Sequence, residues 1–107
     1  MENSSKLKKW LNEFKLNHPL VIAGPCSAET EVQVLKIANE LKNTDVTAFR
    51  AGIWKPRTRP GNFEGVGAIG LKWLQKVKSE TGLLTCTEVA NRVHVQLALE
   101  HDIDILW

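Results

Sequence analysis

Four short apolar stretches, "HPLVIAGP", "VTAFRAG", "LLTCTEV" and "IDILW", alternate with segments whose apolar residues recur every three to four positions. This alternation constrains the fold more than any other feature of the chain. Short apolar runs closed by Gly or Pro read as buried strands, and the longer period reads as amphipathic helix. After the first stretch, Thr30 and Gln33 have the spacing of a capping box, and Val34, Leu35, Ala38 and Leu41 supply one apolar face to about Asn43. Ile69, Trp73, Leu74 and Val77 mark a second helix that stops at Gly82, and Val93, Leu97 and Ala98 mark a third. Upstream, "SKLKKWLNEFKL" places Leu7, Trp10, Leu11 and Phe14 on one face of an N-terminal helix. Strands alternating with single helices imply a parallel sheet with right-handed crossovers. This spacing suits either a (β/α)8 barrel or an open doubly wound sheet.

The bulk composition excludes several classes. With 43% hydrophobic and 24% charged residues the chain reads as a soluble globular protein, and a net charge of +2 gives no bulk attraction to nucleic acid. No apolar run approaches the roughly 20 residues of a membrane span, and "MENSSKLKKW" lacks the apolar centre of a signal peptide, so a cytoplasmic location is expected. Cys26 and Cys86 stand in separate segments without CxxC spacing, as free thiols or a metal ligand rather than a disulfide. The sequence stops on "DILW", inside the fourth strand, where an apolar parallel edge would be unprotected. The expectation is therefore a fragment, with residues 1–17 as a helical extension and 18–107 as the first half of a barrel.

Ligands of parallel α/β folds bind on the loops that follow the strands. Three such loops are readable: "GPCSAET", "RAGIWKPRTRPGNFEG" and "TEVANR". The second carries Arg50, Lys55, Arg57 and Arg59 and no acid before Glu64. Cations crowded at a strand end repel one another unless an anion joins them. Phosphate and carboxylate suit, with Arg giving planar paired contacts and Lys a point charge. Pro56 and Pro60 limit the loop's freedom and so lower the entropy lost on ordering around a ligand. A solvated basic loop is the plain alternative, but the position directly after a strand favours a phosphate site.

Cys26, after Gly24-Pro25, reads either as a small buried thiol or as a thiolate metal ligand at a strand end. Glu88 reads either as an acid, base or water-orienting group or as a carboxylate at a helix start. His18, His94 and His101 read as peripheral. Trp10 and Trp73 suit helix cores, and Trp54, inside the basic loop, is expected to pack beneath a ligand.

Together, "AGPCSAE", "FRAGIWKPRT" and "TCTEV" resemble the 3-deoxy-D-arabino-heptulosonate 7-phosphate (DAHP) synthases, which open the shikimate pathway to the aromatic amino acids. The resemblance runs from about His18 to Trp107, and the sequence looks like the bacterial subgroup that can be fused to a chorismate mutase. It implies a (β/α)8 TIM barrel, of which this chain would hold about four strands and three intervening helices. The implied reaction condenses phosphoenolpyruvate with erythrose 4-phosphate at a divalent metal of the Mn, Fe, Co or Zn type. Carried over by motif, Cys26 would ligate the metal. Arg50 and Lys55 would hold phosphoenolpyruvate, with Lys55 also passing a proton towards the aldehyde oxygen. Arg57 and Thr58 would bind erythrose 4-phosphate, and Glu88 would line the phosphoenolpyruvate site. The implied partners are small phosphorylated substrates, further copies of the chain in a homo-oligomer, and a fused or associated chorismate mutase. No nucleic acid and no membrane is expected.

The sister enzymes making 3-deoxy-manno-octulosonate 8-phosphate share the barrel and phosphoenolpyruvate, but their second loop typically reads KANR where this one reads KPRT. A non-catalytic phosphate-binding half-barrel is the alternative from another class. The isolated 107-residue chain is expected to lack synthase activity, since the family's remaining metal ligands belong after its last residue.

Overall fold

A computed structural model describes residues 19–54 and 65–107. The expected N-terminal helix, with Leu7, Trp10, Leu11 and Phe14, lies outside those residues. Within them the chain runs β1 (Ile22–Ala23), α1 (Glu31–Leu41), β2 (Ala48–Arg50), α2 (Ile69–Thr81), β3 (Leu84–Thr87), α3 (Arg92–Glu100) and β4 (Ile105–Leu106). Every expected strand and helix in this part of the chain forms. No helix among the described residues is long and apolar enough to cross a membrane.

The strands form one parallel sheet in the order β1-β2-β3-β4. A doubly wound sheet reverses its strand order at a switch point. Here each crossover adds its strand on the same side, which is the winding of a barrel wall. The register pairs Ile22 with Ala48, Ala48 with Leu84, Arg50 with Cys86, and Cys86 with Ile105. Since side chains alternate across a strand, Ala48, Arg50, Leu84, Cys86 and Ile105 share one face of the sheet. Phe49, Ala51, Thr85 and Thr87 share the other.

The second face carries the helices. Phe49 and Ala51 are buried in one cluster with Val34 and Ala38 of α1, Leu71, Leu74 and Val77 of α2, and Ala98 of α3. Fully burying a side chain the size of Phe49 or Leu74 contributes about 1.5–3 kcal/mol, so this layer fixes how the helices sit on the sheet. The two polar side chains on this face are satisfied. Thr87 Oγ1 donates to the Ala51 carbonyl at 2.9 Å, and Thr85 Oγ1 donates to Asp104 Oδ2 at 3.3 Å.

Local chemistry sets the helix ends. Thr30 Oγ1 accepts from the Gln33 N–H at 3.1 Å, and the Gln33 side chain accepts in return from Thr30 N–H, completing the expected capping box. Gly82 closes α2 in the left-handed conformation, φ 75°. Asn91 caps α3, accepting from the His94 N–H at 2.9 Å.

Two expectations need correction. Helix α1 stops at Leu41 rather than near Asn43. Ile69 and Val93, read as apolar-face residues, are 53% and 63% exposed. Each stands in the first turn of its helix, where the chain is only beginning to lie on the sheet; Leu71 takes the buried position in α2, and Ala98, as expected, is buried in α3.

Candidate active site

The residues that follow the strands are tied to one another through the backbone. Ala28 N–H donates to the Gly52 carbonyl at 2.8 Å, Ala51 N–H to Cys86 at 3.2 Å, and Val89 N–H to Trp107 at 2.8 Å. The three loops read from the sequence thus meet at one end of the sheet. The basic loop leaves β2 through Ala51–Trp54 and returns at Gly65, where Gly67 N–H donates to the Ile53 carbonyl at 2.8 Å. Its Lys55, Arg57 and Thr58 lie outside the described residues.

Arg50 is the charged centre of what is described. It projects from the sheet face opposite the helices, beside Cys86, and its guanidinium carbon stands 5.4 Å from the centre of the Trp107 ring. Its Nε is buried with no hydrogen-bond partner among the described residues, and so is Ser27 Oγ on the first loop. A buried donor left unmade costs about 1–3 kcal/mol, more when it is charged. Such a group is retained where something else satisfies it. Both carboxylate oxygens of Glu88, the residue after β3, are buried as well.

Cys86 reports the electrostatics of this face. Burial pushes its thiol up to about 11, the Arg50 charge pulls the other way, and the Glu88 carboxylate adds to the rise. Arg50 and Glu88 therefore act on one buried atom from opposite signs. The thiol between them is neutral near pH 7 and is no nucleophile.

Cys26 is exposed on the first loop, so its reading as a small buried thiol is corrected. Three residues past the end of β1, the loop carries the side chain away from the core while Ala28 turns back into it. The exposed thiol suits a ligand role. Among the described residues, however, no three His, Cys, Asp or Glu side chains come together as a metal site. The described residues alone do not fit a divalent ion.

His94 also differs from the sequence reading, through a contact with Trp54. Their rings stack, with centroids 3.9 Å apart and planes 3° from parallel. Trp54 lies against His94 of α3, so His94 is in contact with a residue of the basic segment rather than peripheral. The pairing joins positions forty residues apart, and neither helical period nor motif spacing signals it. Ser27 was also overlooked, although it stands inside the "GPCS" motif; a hydroxyl next to a candidate ligand was the signal available.

A sequence model of the DAHP synthetase I family matches residues 15–106. The chain is 38% identical over 68 residues to a phospho-2-dehydro-3-deoxyheptonate aldolase of Thermotoga maritima, which covers 64% of this chain and 20% of the relative. It is 39% identical over 85 residues to a 2-dehydro-3-deoxyphosphooctonate aldolase of Vesicomyosocius okutanii, covering 72% of this chain and 31% of the relative. A 2-dehydro-3-deoxyphosphooctonate aldolase of Syntrophotalea carbinolica is 36% identical over 95 residues, covering 81% of this chain and 34% of its own. The crystal structure of the Thermotoga maritima DAHP synthase superposes with a TM-score of 0.74 at 33% identity, over 84% of this chain and 26% of that one. The chain spans between a fifth and a third of the length of these relatives.

Proposed function

The chain belongs to the DAHP synthetase I family, and from that premise we propose that its protein condenses phosphoenolpyruvate with erythrose 4-phosphate and water to give DAHP and inorganic phosphate. The observation that carries the proposal is the buried Nε of Arg50, without a hydrogen-bond partner among the described residues, at the loop end of a singly wound parallel sheet where Arg50 and Glu88 both act on Cys86. A guanidinium in that position is prepared for an anion, and its planar fork suits a carboxylate or phosphate.

In this reading Arg50 and Lys55 hold the phosphoenolpyruvate anion, and Arg57 and Thr58 hold the phosphate of the aldose. The positive field lets two anions lie within bonding distance. C3 of phosphoenolpyruvate forms the new bond to the aldehyde carbon while Lys55 delivers a proton to the aldehyde oxygen. Glu88 orients the water that adds to C2 and accepts its proton. Phosphate then leaves with its bridging oxygen. Cys26 remains a candidate ligand for a divalent ion, and the described residues supply no further ligands around it.

Relatives with the octulosonate name match at 36–39% identity, which makes arabinose 5-phosphate the competing substrate. "KPRT" at Lys55 to Thr58 favours the four-carbon sugar. The test is phosphate release by the full-length protein from phosphoenolpyruvate with each aldose phosphate. Release with erythrose 4-phosphate alone is the expected result. Equal or faster release with arabinose 5-phosphate reassigns the protein to the sister reaction.

A further inference from the structure

We propose that Trp107 is a positioning residue, whose ring holds the Arg50 guanidinium over β3 while leaving its N–H donors open to an anionic substrate. The identity of that substrate rests on the function proposed above; the contact itself does not.

The sheet puts the two residues on one face. Cys86 pairs with Arg50 on one side and with Ile105 on the other. The ladder continues one residue past β4, where Trp107 N–H donates to the Thr87 carbonyl at 3.3 Å and the Trp107 carbonyl accepts from Val89 N–H at 2.8 Å. Those two bonds bracket Glu88, so the Trp107 backbone is fixed beside it. Alternation from Ile105 then directs the Trp107 ring to the face that carries Arg50 and Cys86. With strands about 4.8 Å apart, the backbones of β2 and β4 are roughly 10 Å from one another. A guanidinium carbon 5.4 Å from the ring centre therefore means that Arg50 reaches over β3 to meet Trp107. The Cys86 thiol on β3 feels that charge.

An arginine that has to bind an anion faces a conflict. Left free, its long side chain loses rotamer entropy when the ligand arrives. Held by a carboxylate, it spends the N–H groups that would bind the ligand. An aromatic face avoids both, because it attracts the charge through the ring quadrupole and leaves the donors in the guanidinium plane unused. Trp is the strongest ring for this contact. Arg50 shows that combination: the cation lies over the indole, and its buried Nε has no hydrogen-bond partner among the described residues.

In the full-length protein, Trp107→Leu keeps apolar bulk and removes the quadrupole. Its KM for phosphoenolpyruvate should rise roughly three- to thirtyfold, the factor corresponding to one partly desolvated cation–π contact. The turnover number and the KM for erythrose 4-phosphate should hardly change. Trp107→Phe, which keeps a ring, should recover most of the loss. A second measurement reads the contact without substrate, through the thermal midpoints of Trp107→Leu, Arg50→Met and the double variant. The double variant should lose less than the two single losses together, since either change alone already breaks the contact. A parent-like KM in Trp107→Leu would overturn the proposal, as would a Phe variant as impaired as the Leu one. So would a fall in kcat with both substrates weakened, which marks a general packing defect, or additive thermal losses. If the protein turns over no aldose phosphate, the proposed reaction falls, and the thermal cycle alone decides whether Trp107 holds Arg50.

Discussion

The end of β1 passes so close to β2 that a Cβ on Gly24 would stand 2.0 Å from the carbonyl oxygen of Arg50. Gly24 also has φ 151°, a conformation side chains rarely adopt. The "GPCS" loop can therefore lie against the backbone of Arg50 only because position 24 has no side chain. The obstacle is backbone, which cannot rotate away. Gly24→Ala should cost about 2–4 kcal/mol through overpacking and strain, and should displace Arg50. A urea midpoint matching the parent would show that the two strands are not packed as described.

Arg50→Lys keeps the charge but loses the planar fork and the buried Nε. Hydrogen bonds to charged groups contribute about 1.5–3 kcal/mol each, so the KM for phosphoenolpyruvate should rise roughly 10- to 100-fold, with a smaller effect on kcat if the contact serves ground and transition states alike. Steady-state kinetics of the full-length protein check this. An unchanged KM would remove Arg50 from the substrate site.

The two thiols should separate by reactivity. Cys26 is exposed, whereas Cys86 is buried and its thiol is raised from an ordinary 9.0 to about 11. Alkylation of the native protein at pH 8 should modify Cys26 and leave Cys86 intact, as peptide mass mapping would show. The same shift sets a pH dependence. Between about pH 9 and 11 the folded thiol keeps a proton that the unfolded one has lost, so stability falls as pH rises through that window. Cys86→Ala should flatten the decline in urea midpoint between pH 8 and 11. An identical slope in the variant would mean that other groups cause it.

Asp104 should matter for stability and not for catalysis. It precedes β4, at the end of the sheet away from the site. Its carboxylate accepts from Lys78 Nζ at 2.9 Å, from the Thr85 N–H at 2.9 Å and from Thr85 Oγ1 at 3.3 Å. Asp104→Ala strands the Thr85 donor and should cost about 1–3 kcal/mol. Thermal denaturation paired with kcat/KM measures both. A large loss of kcat/KM at temperatures where the variant is fully folded would contradict the separation of the two ends.

Much of this was legible in the chain. The strand stretches, the capping box at Thr30 and Gln33 and the stop at Gly82 follow from local rules, because each depends on residues within one turn of one another. The choice of Arg50, Lys55, Arg57, Thr58, Glu88 and Cys26 came from loop position and from motif resemblance. Where local rules failed, at Ile69 and Val93, periodicity could not say at which turn a helix first meets the sheet.

Sequence alone determined which residues form strands and helices, that the strands run parallel, and that a basic segment follows the second strand. Hydrophobic period, capping and turn chemistry act over a few residues, and these features need nothing more. Only the tertiary structure decided that the sheet winds in one direction, since both winding patterns share the same local alternation. It also decided that Arg50 and Glu88 both act on Cys86, that Cys26 faces outward, and that Trp54 lies on His94. Those relationships depend on strand register and on which loop crosses which, and they are fixed when the helices bury one face of the sheet and leave the other to the charges.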